Sequence, residues 1–179
     1  MIIGFCGYKG SGKTLACSYL KDLGFKPHNF KDALVEEMKD NLSDTLLILS
    51  EHYSMSVDDL FKNKPPAMRA LMQNYGTEVR RQDDPDYWVN KWKDNVDEGD
   101  LCVDDVRFLN EYVALKDKGG VLIHLIVEDE ASVSSHQSEV EHLSFDPDFT
   151  IVLPRGAKEQ LYNQLIGILH HMSDAKRQD

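Results

Sequence analysis

Basic residues are scarce in this chain. Lys and Arg number 20 against 31 Asp and Glu, a net charge of −11. That balance argues against a binder of nucleic-acid polymers, whose footprint is basic, although a few local donors suffice to hold a small anion. Cysteine is sparse too: Cys6, Cys17 and Cys102 are odd in number, widely spaced and without a C-x-x-C pair. This excludes a disulfide framework and a cysteine zinc site, and reads as reduced, mostly buried thiols in a cytoplasm. No apolar run approaches the ~20 residues of a membrane span, so no membrane partner is expected. Met1 to Phe5 lacks the basic start and long apolar stretch of a secretory leader. Internal repeats and low-complexity tracts are missing as well.

What remains is an ordinary globular composition, 41% hydrophobic and 28% charged over 179 residues. A chain of that length suits one domain and buries roughly 70% of its unfolded surface without staples. Ile2 to Cys6 is a short apolar run ending at Gly7, the pattern of a buried strand. Leu101 to Val103, Val121 to Val127 and Phe149 to Leu153 repeat that pattern, and Phe25 to Phe30 leaves room for a short strand. Helices are expected at Thr14 to Leu23, Lys31 to Lys39, Ser43 to His52, Pro66 to Arg81, Phe108 to Lys118 and Ala157 to Met172. Ser56 is placed to cap a short helical turn, Lys62 to Pro66 reads as a loop, and Pro85 is placed to begin a helix capped by Asp84. Alternating strands and helices predict an α/β fold with a mainly parallel sheet covered on both faces, a three-layer sandwich. The organisation expected is a single domain over 1–172 with a frayed tail at 173–179. Its core spans 1–30 and 99–172, a helix-rich insertion spans 31–98, and 128–147 is polar and irregular.

Gly7-Tyr8-Lys9-Gly10-Ser11-Gly12-Lys13-Thr14 fits G-x-x-x-x-G-K-[ST]. Glycines let successive backbone N–H groups turn inward onto phosphate oxygens, and the following helix adds the positive end of its dipole. Gly7, Lys9, Gly10, Ser11, Gly12, Lys13 and Thr14 are therefore the candidate cradle, with Lys13 reaching the β- and γ-phosphates and Thr14 ligating magnesium. A chance match in a chain of this length is roughly one in a hundred, and this one falls between a strand and a helix. The motif points to a nucleoside triphosphate and a P-loop NTPase fold, without saying what is done with the nucleotide. A GTP-reading switch would carry N-K-x-D after a strand; Asn90-Lys91-Trp92-Lys93 lacks the Asp and lies in an expected helix.

A regular helix from Arg69, at ~100° per residue, puts Gln73 near 40°, Gly76 near −20° and Arg80 near 20°. Met68, Met72, Tyr75 and Val79 fall at roughly 240–300°, the side facing a core. On one reading Arg69 and Arg80 hold a phosphate, Gln73 reads a base edge, and Gly76 lets a flat ligand lie against the backbone. On the other, the face is solvated and the glycine serves packing. Leu101-Cys102-Val103-Asp104 is an apolar strand ending in a carboxylate, which in P-loop enzymes orients magnesium or its waters. Asp105 is placed to cap the helix that follows. His124 lies inside an expected strand, His170-His171 late in an amphipathic helix, and Trp88 and Trp92 form an i, i+4 aromatic pair suited to a core.

Arg69-x-x-x-Gln73-x-x-Gly76-Thr77-Glu78, then Trp88-Val89, then Asp104-Asp105-Val106-Arg107-Phe108-x-Asn110-Glu111, then His136-x-Ser138-Glu139 occur in this order. The set resembles the bacteriophage-type deoxynucleoside monophosphate kinases, a branch of the P-loop nucleoside monophosphate kinases. The likeness covers about residues 1–171 and is densest from 69 to 139. It implies transfer of the γ-phosphoryl of ATP, with Mg²⁺, to a deoxynucleoside monophosphate. Small-molecule nucleotides would be the partners, and the setting a bacterial cytoplasm, the host's if the chain is phage-encoded. On this resemblance Arg69, Gln73, Gly76, Arg80 and Trp88 face the acceptor, and Arg107 bridges the transferred phosphoryl or the acceptor phosphate. His136, Ser138 and Glu139 belong to a lid at about 128–147, and Arg155 and Gly156 sit near the adenine of ATP.

Such a reaction needs no proton acceptor, because a phosphate monoester with a second pKa of about 6 is already anionic near neutral pH. It needs positive charge and alignment, supplied here by Lys13, Arg80, Arg107 and the magnesium held by Thr14 and Asp104. A kinase of a hydroxyl group would want a carboxylate base, for which Asp32 is the candidate, or else a first-turn helix residue. No Lys or Arg occurs from Gly119 to Pro154, where lids of this family commonly carry arginines. Arg80, Arg107, Arg155 and Lys9 would then supply the charge, or a partner subunit in a homodimer would. A P-loop kinase of another small metabolite and a non-catalytic nucleotide-binding module are the competing readings.

Overall fold

A computed structural model describes residues 1–96, 99–128 and 141–175. The chain divides into two compact units, Met1–Asn29 with Asp97–Asp179, and Phe30–Val96. The helix-rich insertion is expected at 31–98, and the second unit runs from Phe30 to Val96.

The first unit is built on a five-stranded, all-parallel sheet in the order β2-β3-β1-β4-β5. Its strands are β1 (Ile2–Cys6), β2 (Lys26–Pro27), β3 (Leu101–Val103), β4 (Val121–Val127) and β5 (Phe149–Leu153). Both sides of β1 are covered, which is why it reads as an unbroken apolar run instead of an alternating one. On one face Ile3, Phe5, Cys102, Ile123, Leu125 and Ile151 pack with Ala16, Cys17 and Leu20 of α1 (Lys13–Asp22). Leu161 and Leu165 of the last helix, Lys158–Ala175, complete that layer. On the other face Leu115 of the helix Leu109–Asp117 and Val106 close over Gly4. The sheet thus sits between two helical layers, the three-layer α/β architecture of P-loop proteins. β1 lies between β3 and β4, and its C-terminal end feeds the phosphate loop. The carboxyl ends of neighbouring strands around such a reversal of strand order are where α/β sheets bind ligands.

The second unit is helical: α2 (Phe30–Asn41), α3 (Ser43–Tyr53), α4 (Val57–Asn63), α5 (Pro66–Gln73), α6 (Arg81–Asp83) and α7 (Tyr87–Asp94). In chain order the helices Leu109–Asp117 and Lys158–Ala175 of the first unit are then α8 and α9. Met38, Leu46, Leu60, Phe61 and Met68 form its core, and Phe30 stacks on Trp92 with ring centroids 4.6 Å apart. Ser56 caps α4 by accepting from the Asp59 N–H at 3.1 Å, and Ser54 and Lys64 close α3 and α4 with left-handed φ values of 52° and 49°.

Several elements differ from expectation. The helix expected from Pro66 to Arg81 is regular only to Gln73. Asn74–Arg80 is a π-helical stretch, whose wider i→i+5 turns change which side chains meet. Pro85 does not open a helix: Asp84 accepts from the Asp86 N–H at 2.9 Å in a turn, and α7 begins at Tyr87. α4 runs on to Asn63, into the expected loop, and the strand expected within 25–30 is two residues long. α9 continues to Ala175, so the first residues of the expected tail are helical. Of the expected lid, residues 129–140 lie outside the described residues, and Glu141–Ser144 forms one 3₁₀ turn.

Candidate functional site

The loop between β1 and α1 has the geometry its glycines foretell. Gly7, Gly10 and Gly12 have φ values of 134°, 90° and 98°, conformations that side chains resist. Gly7 is doubly constrained, because a Cβ there would lie 2.3 Å from the Leu125 carbonyl oxygen. The Lys13 ammonium donates to the Gly7 and Tyr8 carbonyls, both at 2.7 Å, and lies 3.4 Å from Ser11 Oγ. Its charge is thereby fixed at the loop although its side chain is buried. Lys9 is exposed in the turn of the same loop.

The Thr14 hydroxyl donates to Asp104 Oδ2 at 2.8 Å. Neighbouring parallel strands therefore deliver the loop threonine and the strand-end carboxylate to one spot. Asn29 fixes the end of β3 by accepting from the Asp104 N–H at 2.8 Å. Asp105 is buried and does not cap α8, which starts only at Leu109. Glu111 takes that role, accepting from the N–H groups of Arg107 and Phe108 at 2.8 and 3.1 Å, and Glu141 accepts from the Leu109 N–H at 2.6 Å. Carboxylates on both sides of the turn thus hold the backbone from which the half-buried Arg107 projects. Arg155 brings a guanidinium nitrogen within 3.7 Å of where a Cβ on Gly10 would stand. It is the first basic residue after Lys118 in the chain, and it lies against the phosphate loop. Gly156 beside it has a φ of 83° and open space around it.

Beside the loop, Tyr8, His142 and His124 form edge-on ring contacts, with centroids 5.0 Å apart for Tyr8 and His142 and 5.4 Å for the two histidines. Burial, and then the Lys13 charge, hold His124 below its ordinary pKa. Burial pushes the Cys6 thiol up to about 12, so it stays protonated. The Cys17 thiol is also pushed up, first by its hydrogen bond with Cys102 and then by burial. All three cysteines are free and buried, in keeping with the composition.

In the helical unit, Arg69 and Gln73 sit one turn apart on the regular part of α5, both half-buried. Neither side chain has a hydrogen bond or ion pair among the described residues. Of the two readings of Gly76, the packing one holds, and it does not present backbone to a ligand. It is buried, a Cβ on it would lie 3.2 Å from Leu34 Cδ2, and its carbonyl accepts from Trp88 Nε1 at 2.9 Å. Trp88 likewise is a core residue, 3% exposed with its one donor used, and not a surface for the acceptor. Asp32 is exposed in the first turn of α2. Arg80 is paired with Glu37, Nη2 to Oε1 at 2.5 Å. His136, Ser138 and Glu139 lie outside the described residues.

The sequence reading gave no site role to Asn29, Glu37, Tyr75, Tyr87 or Glu111. Only Glu111 carried a signal, since it stands three residues into α8 where a carboxylate reaches back to the first N–H groups.

No protein-family model matches the chain. A protein of Acanthamoeba polyphaga mimivirus named "Putative deoxynucleotide monophosphate kinase" is 30% identical over 195 aligned residues, covering 97% of this chain and 98% of its own. The 1.7 Å crystal structure of shikimate kinase from Bacteroides thetaiotaomicron superposes with a TM-score of 0.45 at 14% identity, over 95% of this chain and 98% of that one.

Proposed function

The chain belongs to the deoxynucleotide monophosphate kinase family, and from that membership we propose that it transfers the γ-phosphoryl of ATP to a deoxynucleoside monophosphate, giving the diphosphate. The observation that carries the reading is the 2.8 Å contact of Thr14 with Asp104 beside a lysine-bearing glycine loop. That arrangement serves to grip the triphosphate tail and to align it for in-line transfer.

Each group has a task. The loop N–H groups and Lys13 take the β- and γ-phosphate oxygens and offset charge as it moves toward the leaving oxygen. Arg155 adds positive charge from the far side of Gly10. Arg107, on a backbone anchored by Glu111, takes the phosphoryl in flight or the acceptor phosphate. Arg69 and Arg80 receive the acceptor phosphate, and Gln73 pairs with a base edge. The acceptor is itself the nucleophile, so no side chain removes a proton.

Magnesium suits the donors present. A hydroxyl and a carboxylate form the all-oxygen set this ion prefers. Among the described residues no group of three or more His, Cys, Asp or Glu could hold a metal, so the nucleotide's phosphates would have to complete the shell. When bound, the ion would neutralise charge on the phosphate oxygens.

The test is turnover of ATP with Mg²⁺ against dAMP, dGMP, dCMP, dTMP and AMP, with Lys13→Ala as the blank. Diphosphate from one or more deoxynucleotides, absent in the blank, is the expected result and reads out base preference directly. ATP binding with no phosphorylation of any monophosphate would overturn the proposal, and would favour a nucleotide-binding module or a kinase of another metabolite.

A further inference from the structure

Glu37 stands at the centre of a polar cluster within the helical unit. Its Oε1 accepts from the Tyr75 hydroxyl at 2.9 Å and pairs with Arg80 Nη2, and its Oε2 accepts from the Tyr87 hydroxyl at 2.5 Å. Lys91 Nζ lies 3.8 Å from Oε2. Arg80 Nη2 also donates to the Tyr75 hydroxyl at 3.0 Å, and Asn41 Nδ2 donates to that hydroxyl at 3.1 Å. The guanidinium carbon sits 5.2 Å from the Tyr75 ring centre and 5.5 Å from that of Tyr87. Burial alone would raise the Glu37 carboxyl, yet the two tyrosine hydroxyls and the Arg80 charge outweigh it and hold the group below its ordinary 4.5.

Two features set this cluster apart from a simple structural tie. Tyr75 and Arg80 are five residues apart, which on a regular α-helix separates them by about 140° and keeps them from touching. They meet because Asn74–Arg80 is π-helical, and such stretches recur at functional sites. The second feature is that Arg80 is held but not saturated. Among the described residues Nη2 makes every hydrogen bond and ion pair of this guanidinium and Nε is buried without a hydrogen-bond partner, while the side chain is still 33% exposed. A guanidinium flanked by two rings and pinned at one nitrogen cannot swing away, and keeps donor capacity for one further anion. The carboxylate does not make the cluster anionic, because Arg80 and Lys91 together outweigh its single charge.

We propose that Glu37 is a positioning residue that orients Arg80, through the π-helical stretch, to donate to the phosphate of a nucleoside monophosphate. This rests on the reading of the helical unit as the acceptor-binding part. Glu37 does not touch the nucleotide; it acts through Arg80.

The test is calorimetric titration of the whole chain with dAMP, dGMP, dCMP and dTMP, each against its deoxynucleoside, because the ratio of the two affinities isolates the phosphate contact and needs no turnover. Glu37→Gln keeps an oxygen acceptor but drops the charge. It is expected to weaken the monophosphate about tenfold, leave the deoxynucleoside unchanged and leave ATP affinity within about twofold. Arg80→Met should cost at least as much, and the double variant no more than Arg80→Met alone. A Glu37→Gln ratio equal to wild type, a loss shared by nucleoside and ATP, or additive losses in the double variant would each overturn the inference. If the wild type binds monophosphates with this dependence on Glu37 but phosphorylates none, the kinase proposal fails and the inference stands. If it phosphorylates them and the ratio ignores Glu37, the reverse holds. If it binds no monophosphate, both fall.

Discussion

Under the proposed function, the phosphate loop and the helical unit would offer positive charge to an anion by different physical means. In the loop the donors are backbone N–H groups on a path set by three glycines with positive φ, and the one lysine is held by carbonyls of the same loop. In the helical unit the donors are long side chains, and what holds Arg80 is a carboxylate on another helix and two tyrosines. A backbone cradle is rigid because its covalent path is short, so its cost appears as conformational strain. A side-chain cradle is rigid only while its supporting hydrogen bonds last, so its cost appears as charges that must stay paired. The first should fail by steric insult and the second by loss of a partner.

The largest effect is expected where the residue that ends the loop motif, Thr14, meets the distant carboxylate of Asp104. Asp104→Asn removes the charge opposite Thr14 and should lower kcat by about a hundredfold and raise the magnesium requirement, read in a magnesium titration of turnover. Gly7→Ala is the steric insult: with φ at 134° and a carbonyl oxygen 2.3 Å from the new Cβ, it should cost about 1–3 kcal/mol of stability, measured by urea unfolding. Trp88→Phe removes a partner instead. It keeps the ring in the core but leaves the Gly76 carbonyl without the indole donor at 2.9 Å, for about 1 kcal/mol in the same assay. Equal sensitivity of the two regions to both kinds of change would erase the distinction.

Acid should separate the regions more gently. His124 has a folded pKa held below its ordinary 6.5, so the unfolded chain takes its proton first. Its contribution is complete above 6.5 and is lost as pH falls from there toward the folded value. Glu37 is held below 4.5, so its contribution is complete above 4.5 and declines only as pH falls through its folded value. Urea midpoints followed down in pH should therefore drop in two stages, with His124→Phe removing the earlier and Glu37→Gln the later.

The same contrast explains what could be read from the chain alone. Strands β1, β3, β4 and β5 lie where apolar runs bounded by turns predict them, since burial on both faces leaves an unmistakable pattern. The phosphate loop was legible because a backbone requirement shows up as glycine at fixed spacing. The Glu37 cluster was not, because a glutamate on an amphipathic helix looks like any solvated residue until its neighbours are known. The helix map failed at Tyr75 and Arg80 for a definite reason: it assumed one angular step throughout, and the π-helical stretch changes that step in mid-helix. Gly76 follows the packing alternative instead, and Trp88, whose spacing with Trp92 suits a core, lies in one. Asn29, a single polar residue before a helix, had no pattern to betray its bond to Asp104.

The ladder also records how the helical unit is joined to the sheet. The Lys26 N–H donates to the Asp100 carbonyl at 2.8 Å and the His28 N–H to the Cys102 carbonyl at 2.9 Å, so the chain departs beside the very strand on which it returns. Because entry and exit are adjacent, everything between them is a cassette: a different helical insert could be spliced between Asn29 and the start of β3 without re-threading a strand. Under the proposed function, replacing that cassette would change the phosphoryl acceptor while leaving the phosphate loop in place.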